Sequence, residues 1–243
     1  HGLKNDYQAG DYISNNDSYN IPVVSLYGKD FYPATNHLEN LDAIIFDIQD
    51  IGSRYYTYIS TLTNIMDICS EFDLPLYVLD RPNPIGGNVS GPILDMNFSS
   101  FVGMHPMPIV HGMTIGEIAY MINELNWIDN YVDLRIVKME GWNRQMYFEN
   151  TGKKWISPSP NIADNKTAFI YQGTCLIEGT NLSEGRGTDM PFSYIGAPWL
   201  DSKQLLDKLS ELNLKGVQFY RKDFTPRFIP SKSTYPKYKD QKC

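Results

Sequence analysis

Ala43-Ile44-Ile45-Phe46-Asp47-Ile48-Gln49-Asp50-Ile51-Gly52-Ser53-Arg54-Tyr55-Tyr56-Thr57-Tyr58 passes from an unbroken apolar run into a polar turn closed by a glycine. A run of this kind suits a strand buried on both faces, as in parallel sheets. Beyond the turn, Ile59, Leu62, Met66 and Cys69 recur at helical spacing and predict a helix over residues 55–72. The same unit then repeats. Leu76–Leu79 reads as a strand, stopped by Pro82, Pro84 and the Gly86-Gly87 pair. Ile115, Ile118, Ala119, Ile122 and Leu125 share one face of a helix opening at Thr114, and Leu134–Val137 reads as the next strand. Thr114-Ile115-Gly116-Glu117 fits a capping box, which accounts for Glu117 without any catalytic duty.

Working outward, Val23–Tyr27 and Val217–Tyr220 read as further strands, and Leu205, Leu206, Leu209 and Leu212 as one face of a helix. Residues 167–177 suit a helix, although periodicity alone leaves that stretch ambiguous. The tail from Thr225, rich in proline and lysine, reads as a linker or an unfinished segment. Alternating strands and helices imply an α/β fold with a mostly parallel, Rossmann-like sheet and helices on both faces. The expected division is a Rossmann-like domain over 1–215, with 216–243 leading to or opening a second, smaller domain.

The 243 residues are 42% hydrophobic and 20% charged, enough for a sizeable core. A net charge of −7 without a basic stripe argues against a nucleic-acid partner. Nothing approaches the roughly 18 consecutive apolar residues of a membrane span. Cys69, Cys175 and Cys243 are odd in number, widely spaced and without a C-x-x-C, so neither a zinc site nor a disulfide framework is expected. Cys69 and Cys175 read as small buried hydrophobes.

In open α/β sheets ligands bind outside the carboxyl ends of the strands, so polar residues there carry most weight. Asp47, Gln49, Asp50, Arg54 and Tyr58 follow one predicted strand; Asp80, Arg81 and Asn83 follow the next. A third cluster, Glu178-Gly179-Thr180-Asn181-Leu182-Ser183-Glu184-Gly185-Arg186-Gly187-Thr188, concentrates two carboxylates and an arginine among glycines. His111 precedes a helix start beside Gly112, and Ser157-Pro158-Ser159-Pro160-Asn161 is a rigid loop able to present Asn161. Helix caps, structural Asp–Arg pairs and plain turns are the competing readings for each. There is no G-x-G-x-x-G after a strand, no P-loop, no H-E-x-x-H and no G-x-S-x-G. What remains is carboxylates, arginines, amides and aromatics, an inventory that suits glycoside hydrolysis without metal or redox cofactor.

The motifs F-D-I-Q-D-I-G-S-R-Y-Y-T-Y (46–58), L-D-R-P-N-P-I-G-G (79–87), H-G-M-T-I-G-E (111–117), S-P-S-P-N (157–161) and G-T-C-L-I-E-G-T-N-L-S-E-G-R-G-T (173–188) occur in this order. In them the chain resembles the exo-β-N-acetylmuramidases of glycoside hydrolase family 171. The resemblance implies a Rossmann-like domain, a smaller second domain and a cleft between them. It implies removal of terminal β-linked N-acetylmuramic acid from peptidoglycan fragments, in the periplasm or outside the cell. Members usually begin before the position of His1, with a glutamate directly preceding the His-Gly pair as a strong candidate acid, and continue beyond that of Cys243.

On this resemblance, Glu184, Asp50 and His111 are the candidate catalytic residues. Arg54, Arg81 and Arg186 are candidates for the lactyl carboxylate of the sugar. Asn83, Asn161, Asn181, Gln49, Asp47 and Tyr58 are candidates for its hydroxyl and acetamido groups. Rival readings are a non-catalytic muropeptide- or sugar-binding protein, a hexosaminidase with another sugar preference, and an esterase or deacetylase.

Overall fold

The computed structural model describes residues 23, 24, 26 and 31–243. They form two compact units, which divide between Pro158 and Ser159.

In the first unit, strands β1 (Ile44–Phe46) and β2 (Leu76–Leu79) pair in parallel, as do β2 and a later strand, Leu134–Val137. Helix α1 (Tyr58–Glu71) links β1 to β2. Helix α2 (Ile115–Glu124) precedes the third strand of the sheet, and α1 and α2 pack against one another. Both crossovers step in the same direction across the sheet, which puts α1 and α2 on one face. That face is the core, built from Phe46, Leu62, Met66, Leu76, Val78, Ile115, Ile118 and Ile122. The α/β, Rossmann-like reading therefore stands, but only one helical layer belongs to this unit among the described residues. On the other face Ile45 is 66% exposed and Val137 is 51% exposed.

Between β2 and α2 lies a hairpin that the sequence reading missed, β3 (Ser90–Ile93) against β4 (Pro108–Val110), antiparallel. The parallel strand after α2 is accordingly β5 (Leu134–Val137). A strand containing Gly91 and Pro92 has the wrong composition for a sequence-based assignment. The helix expected from residue 55 starts at Tyr58, because Ser53 bridges Val110 and Arg54 N–H donates to the Ile109 carbonyl at 2.9 Å. These bonds hold the turn in an extended form beside β4.

The capping box forms as expected. Glu117 N–H donates to Thr114 Oγ1 at 3.2 Å, and Thr114 N–H donates to Glu117 Oε2 at 2.9 Å. The other Glu117 oxygen pairs with Arg144 at 2.7 Å. Gly116 lets α2 lie close on the sheet, since a Cβ there would come within 2.8 Å of Asp80 Cγ and Ile136 Cγ2.

Helix α1 is buried on more than its sheet side. Ser60 Oγ donates to the Phe101 carbonyl at 2.6 Å, and Thr63 Oγ1 lies 2.8 Å from His105 Nε2. His105 stacks on Trp127 with ring centroids 4.7 Å apart, and burial lowers its pKa to about 4. Cys69 is buried as expected, with its thiol pushed up to about 12 by that burial.

In the second unit, α3 (Asn165–Thr174) continues as a 3₁₀ turn over Cys175–Gly179. Asp164 starts α3 by accepting from Thr167 N–H at 2.7 Å. Helix α4 (Ser202–Glu211) is capped by Asp201, which accepts from Lys203 and Gln204 N–H groups.

Three expectations are corrected in this unit. Residues 217–220 are not a strand: Val217 and Tyr220 are exposed and no described neighbour completes a ladder. Cys175 is only half-buried and donates to Glu178 Oε2 at 3.4 Å. The tail is not a linker; Phe224 and Cys243 exchange both backbone hydrogen bonds, and Arg227 N–H donates to the Gly187 carbonyl at 2.9 Å. The strand expected at Val23–Tyr27 lies partly outside the described residues.

Candidate active site

The turns after β1 and β2 emerge at the same end of the parallel sheet, together with the segment after β5. They surround a cleft of about 1190 Å³ within the first unit. Asp47, Gln49, Tyr58 and Arg81 line it, as do Asp80, Glu140, Trp142, Phe148, Lys153 and Lys154.

Most polar groups at this end are already engaged. Gln49 Nε2 donates to the Asp50 carbonyl at 2.6 Å and the Pro82 carbonyl at 2.8 Å, which ties the first turn to the second. Arg81 donates to Asp47 Oδ1 from Nε at 2.7 Å and lies 2.6 Å from it through Nη2. Asn83 is buried, giving Nδ2–H to the Met113 carbonyl and taking Ile85 N–H on Oδ1. Tyr58 donates to the Pro158 carbonyl at 2.7 Å. Asp80 accepts from Thr114 Oγ1, Gly116 N–H and Arg81 N–H. Burial nonetheless raises its pKa above the ordinary carboxylate value, against the opposing pull of those donors.

Asp50 and His111, neither of them in the cleft lining, form a buried pair, with Asp50 Oδ2 3.2 Å from His111 Nε2. Gly52 makes the turn possible: at φ +83° its N–H donates to Asp50 Oδ2 at 2.7 Å, and a Cβ would meet Asn83 Oδ1 at 2.6 Å. His111 Nδ1 accepts from Met113 N–H at 3.2 Å, which places the ring proton of a neutral imidazole on Nε2, facing Asp50. The Asp50–His111 approach is close but not aligned as a hydrogen bond. Asp50 Oδ1, Ser53 Oγ, Arg54 Nε and His111 Nε2 are all buried without a hydrogen-bond partner. Each such atom costs about 1–3 kcal/mol when left unmet, so this cluster is a poor stabiliser and a good candidate for function. Arg54 does not belong to the cleft lining. Its Nη1 donates to the carbonyls of Pro92 and Met107 and so clasps the β3–β4 hairpin to the turn.

The second unit holds Glu184, Arg186, Asn161 and Asn181. Glu184 is 3% exposed, with Arg186 Nε at 3.5 Å and Lys237 Nζ at 3.4 Å from its oxygens. Arg186 also pairs with Glu178 and lies over the Phe192 ring. Asn161 is buried and gives Nδ2–H to the Lys232 carbonyl at 2.8 Å, leaving its Oδ1 without a partner. Asn181 is exposed, and its backbone carbonyl accepts from Tyr238 OH at 2.6 Å.

Lys237, unremarked in the sequence, holds this loop together. Its ammonium reaches the carbonyls of Ile177, Glu178, Thr180 and Leu182 at 2.9–3.1 Å, beside the Glu184 carboxylate. Lys237→Met should therefore cost roughly 1–2 kcal/mol, since four half-buried or exposed carbonyls lose their donor. Urea unfolding of the variant checks this, and an unchanged midpoint would mean the loop holds itself.

No group of three or more His, Cys, Asp or Glu side chains among the described residues is placed to hold a metal ion. No helix among them is long and apolar enough to cross a membrane.

The N-terminal model of the exo-β-N-acetylmuramidase NamZ family matches residues 1–166, and its C-terminal model matches residues 169–243. The chain belongs to this family. It is 47% identical over 237 residues to the peptidoglycan β-N-acetylmuramidase NamZ of Bacillus subtilis (strain 168), covering 96% of this chain and 57% of that protein. Two solved DUF1343 family proteins from Bacteroides fragilis NCTC 9343 have similar structures. One gives a TM-score of 0.86 at 36% identity, covering 94% of this chain and 58% of its own. The other gives 0.73 at 38% identity, covering 87% and 54%. The chain thus spans little more than half the length of the relatives it matches.

Within this NamZ-family chain, the sequence reading missed one wall of the cleft, from Met139 to Ile156. The signal was available: these residues follow β5, the third parallel strand, and the rule that picked out the first two turns applies there equally.

Proposed function

We propose that this chain is part of an exo-β-N-acetylmuramidase that hydrolyses terminal β-linked N-acetylmuramic acid from peptidoglycan fragments. The observation that carries the proposal is the match to both NamZ family models along the chain, joined to 47% identity with the Bacillus subtilis relative. A cleft at the carboxyl ends of parallel strands, with an aromatic wall and carboxylates, is in keeping with it. In this reading Glu184 and the Asp50–His111 pair carry acid/base or electrostatic duties, with His111 orienting the Asp50 carboxylate. The relatives' substrates favour action in the periplasm or at the cell surface, which cell fractionation tests.

Incubating the full-length protein with a chromogenic β-N-acetylmuramide, with the matching N-acetylglucosaminide as control, tests the function. Release of chromophore from the muramide alone is expected. Turnover of both sugars alike would favour a general hexosaminidase, and binding without turnover a sugar-binding protein.

A further inference from the structure

We propose that Lys153 and Lys154, with Trp142, recognise the ionised lactyl group of N-acetylmuramic acid; this rests on the muramidase reading. N-acetylmuramic acid differs from N-acetylglucosamine by a 3-O-lactyl group, whose carboxylate is charged at neutral pH. A site that selects it needs cations free to receive it.

The three arginines singled out by the sequence are all committed elsewhere. Arg54 clasps two backbone carbonyls, Arg81 pairs with Asp47, and Arg186 pairs with Glu178 and Glu184. On Arg81 and Arg186 a ligand carboxylate would share the guanidinium with a protein carboxylate already paired to it. Lys153 and Lys154 line the cleft, and neither side chain has an ion-pair or hydrogen-bond partner among the described residues. Of the acidic side chains lining the cleft, Asp47 is neutralised by Arg81 and Asp80 is held by three donors. Those three donors to Asp80 are neutral, so Asp80 and Glu140 are the lining carboxyls without a cationic side-chain partner among the described residues, beside the two lysines.

The aromatic wall points to the same class of ligand. Trp142 lines the cleft, and its indole Nε1 is buried without a hydrogen-bond partner. Because Nε1 is shielded, Trp142 offers the cleft its apolar ring, while the two ammonium groups are donors only. Their complement is an acceptor-rich, anionic ligand with an apolar face, which describes a sugar bearing a lactyl carboxylate and an acetamido carbonyl.

The test is calorimetric titration of the full-length protein and its Lys153→Gln, Lys154→Gln and double variants. The ligands are N-acetylmuramic acid and the same sugar with its lactyl acid converted to the amide. The wild type is expected to prefer the acid. The double variant should lose roughly tenfold or more on the acid, more steeply at low salt, while the amide changes less than about twofold. Lysines this exposed should leave the melting temperature unmoved, so a folding defect is recognisable. Equal binding of acid and amide by the wild type overturns the assignment, as does an equal loss on both ligands or no loss at all. If the acid is preferred through the lysines but the chromogenic muramide is not cleaved, the lysine assignment stands and the hydrolase reading fails.

Discussion

If the proposed muramidase activity holds, Glu184→Gln in the full-length protein should lower kcat by about 10²- to 10⁴-fold while moving KM only a few-fold. Gln keeps the shape of the side chain and removes its charge, so the experiment isolates the charge. The site is built to hold that charge in one place. Gly185 follows at φ +80°, and a Cβ there would meet the Tyr194 carbonyl at 2.8 Å, so the backbone turns immediately after Glu184. The Glu184 carbonyl accepts from Phe192 N–H at 2.6 Å, and Ser183 exchanges both backbone bonds with Gly196. Arg186 and Lys237 flank the carboxylate, and each keeps other partners when the charge goes: Glu178 for Arg186, four carbonyls for Lys237. The variant should therefore fold. Under the proposed function, an ion-paired Glu184 would act as a base or an electrostatic stabiliser rather than as the proton donor. Unchanged turnover with a normal melting curve would make Glu184 a counter-ion for Arg186 and Lys237 only.

The contrast between Glu184 and the arginines shows where a sequence reading reaches its limit. Strand–turn–helix order, the capping box at Thr114 and the polar turns after β1 and β2 were legible because each depends on neighbours within a few residues. The ion pairs were not. Asp47 and Arg81 are 34 residues apart, and Lys237 lies more than fifty residues beyond the carbonyls it gathers. Nothing local marks which arginine is free. Residue type alone favoured arginine for a carboxylate, yet tertiary contacts engage all three and leave the lysine side chains of the cleft uncommitted. The β3–β4 hairpin was hidden for a related reason: Arg54 and the Ser53–Val110 bridge hold it, rather than strand-forming composition.

His105→Gln should flatten the acid sensitivity of folding between pH 6.5 and about 4. His105 is 4% exposed, stacked on Trp127 and 2.8 Å from Thr63 Oγ1 on α1. Burial lowers its pKa from 6.5 to about 4 in the folded protein. Above pH 6.5 neither the folded nor the unfolded chain protonates this ring, and its contribution is fully present. As the pH falls below 6.5 the unfolded chain takes up a proton that the folded protein refuses, so stability declines. The decline ends near pH 4, where the folded protein binds the proton too. A shift of this size is worth about 3 kcal/mol over the whole window, most of it already lost by about pH 4.5. Gln does not titrate and can still reach Thr63, so it removes the proton linkage while keeping a polar partner for the helix. Its lost stacking on Trp127 lowers stability equally at every pH and cancels when slopes are compared. Carboxylates that titrate over the same range do so in both proteins and cancel as well. Urea unfolding of the two proteins at pH 7 and pH 4.5 gives the comparison. The wild type should lose about 2–3 kcal/mol more than the variant between those values; equal losses would mean that His105 is protonated without cost, and that the Trp127 stack tolerates an imidazolium.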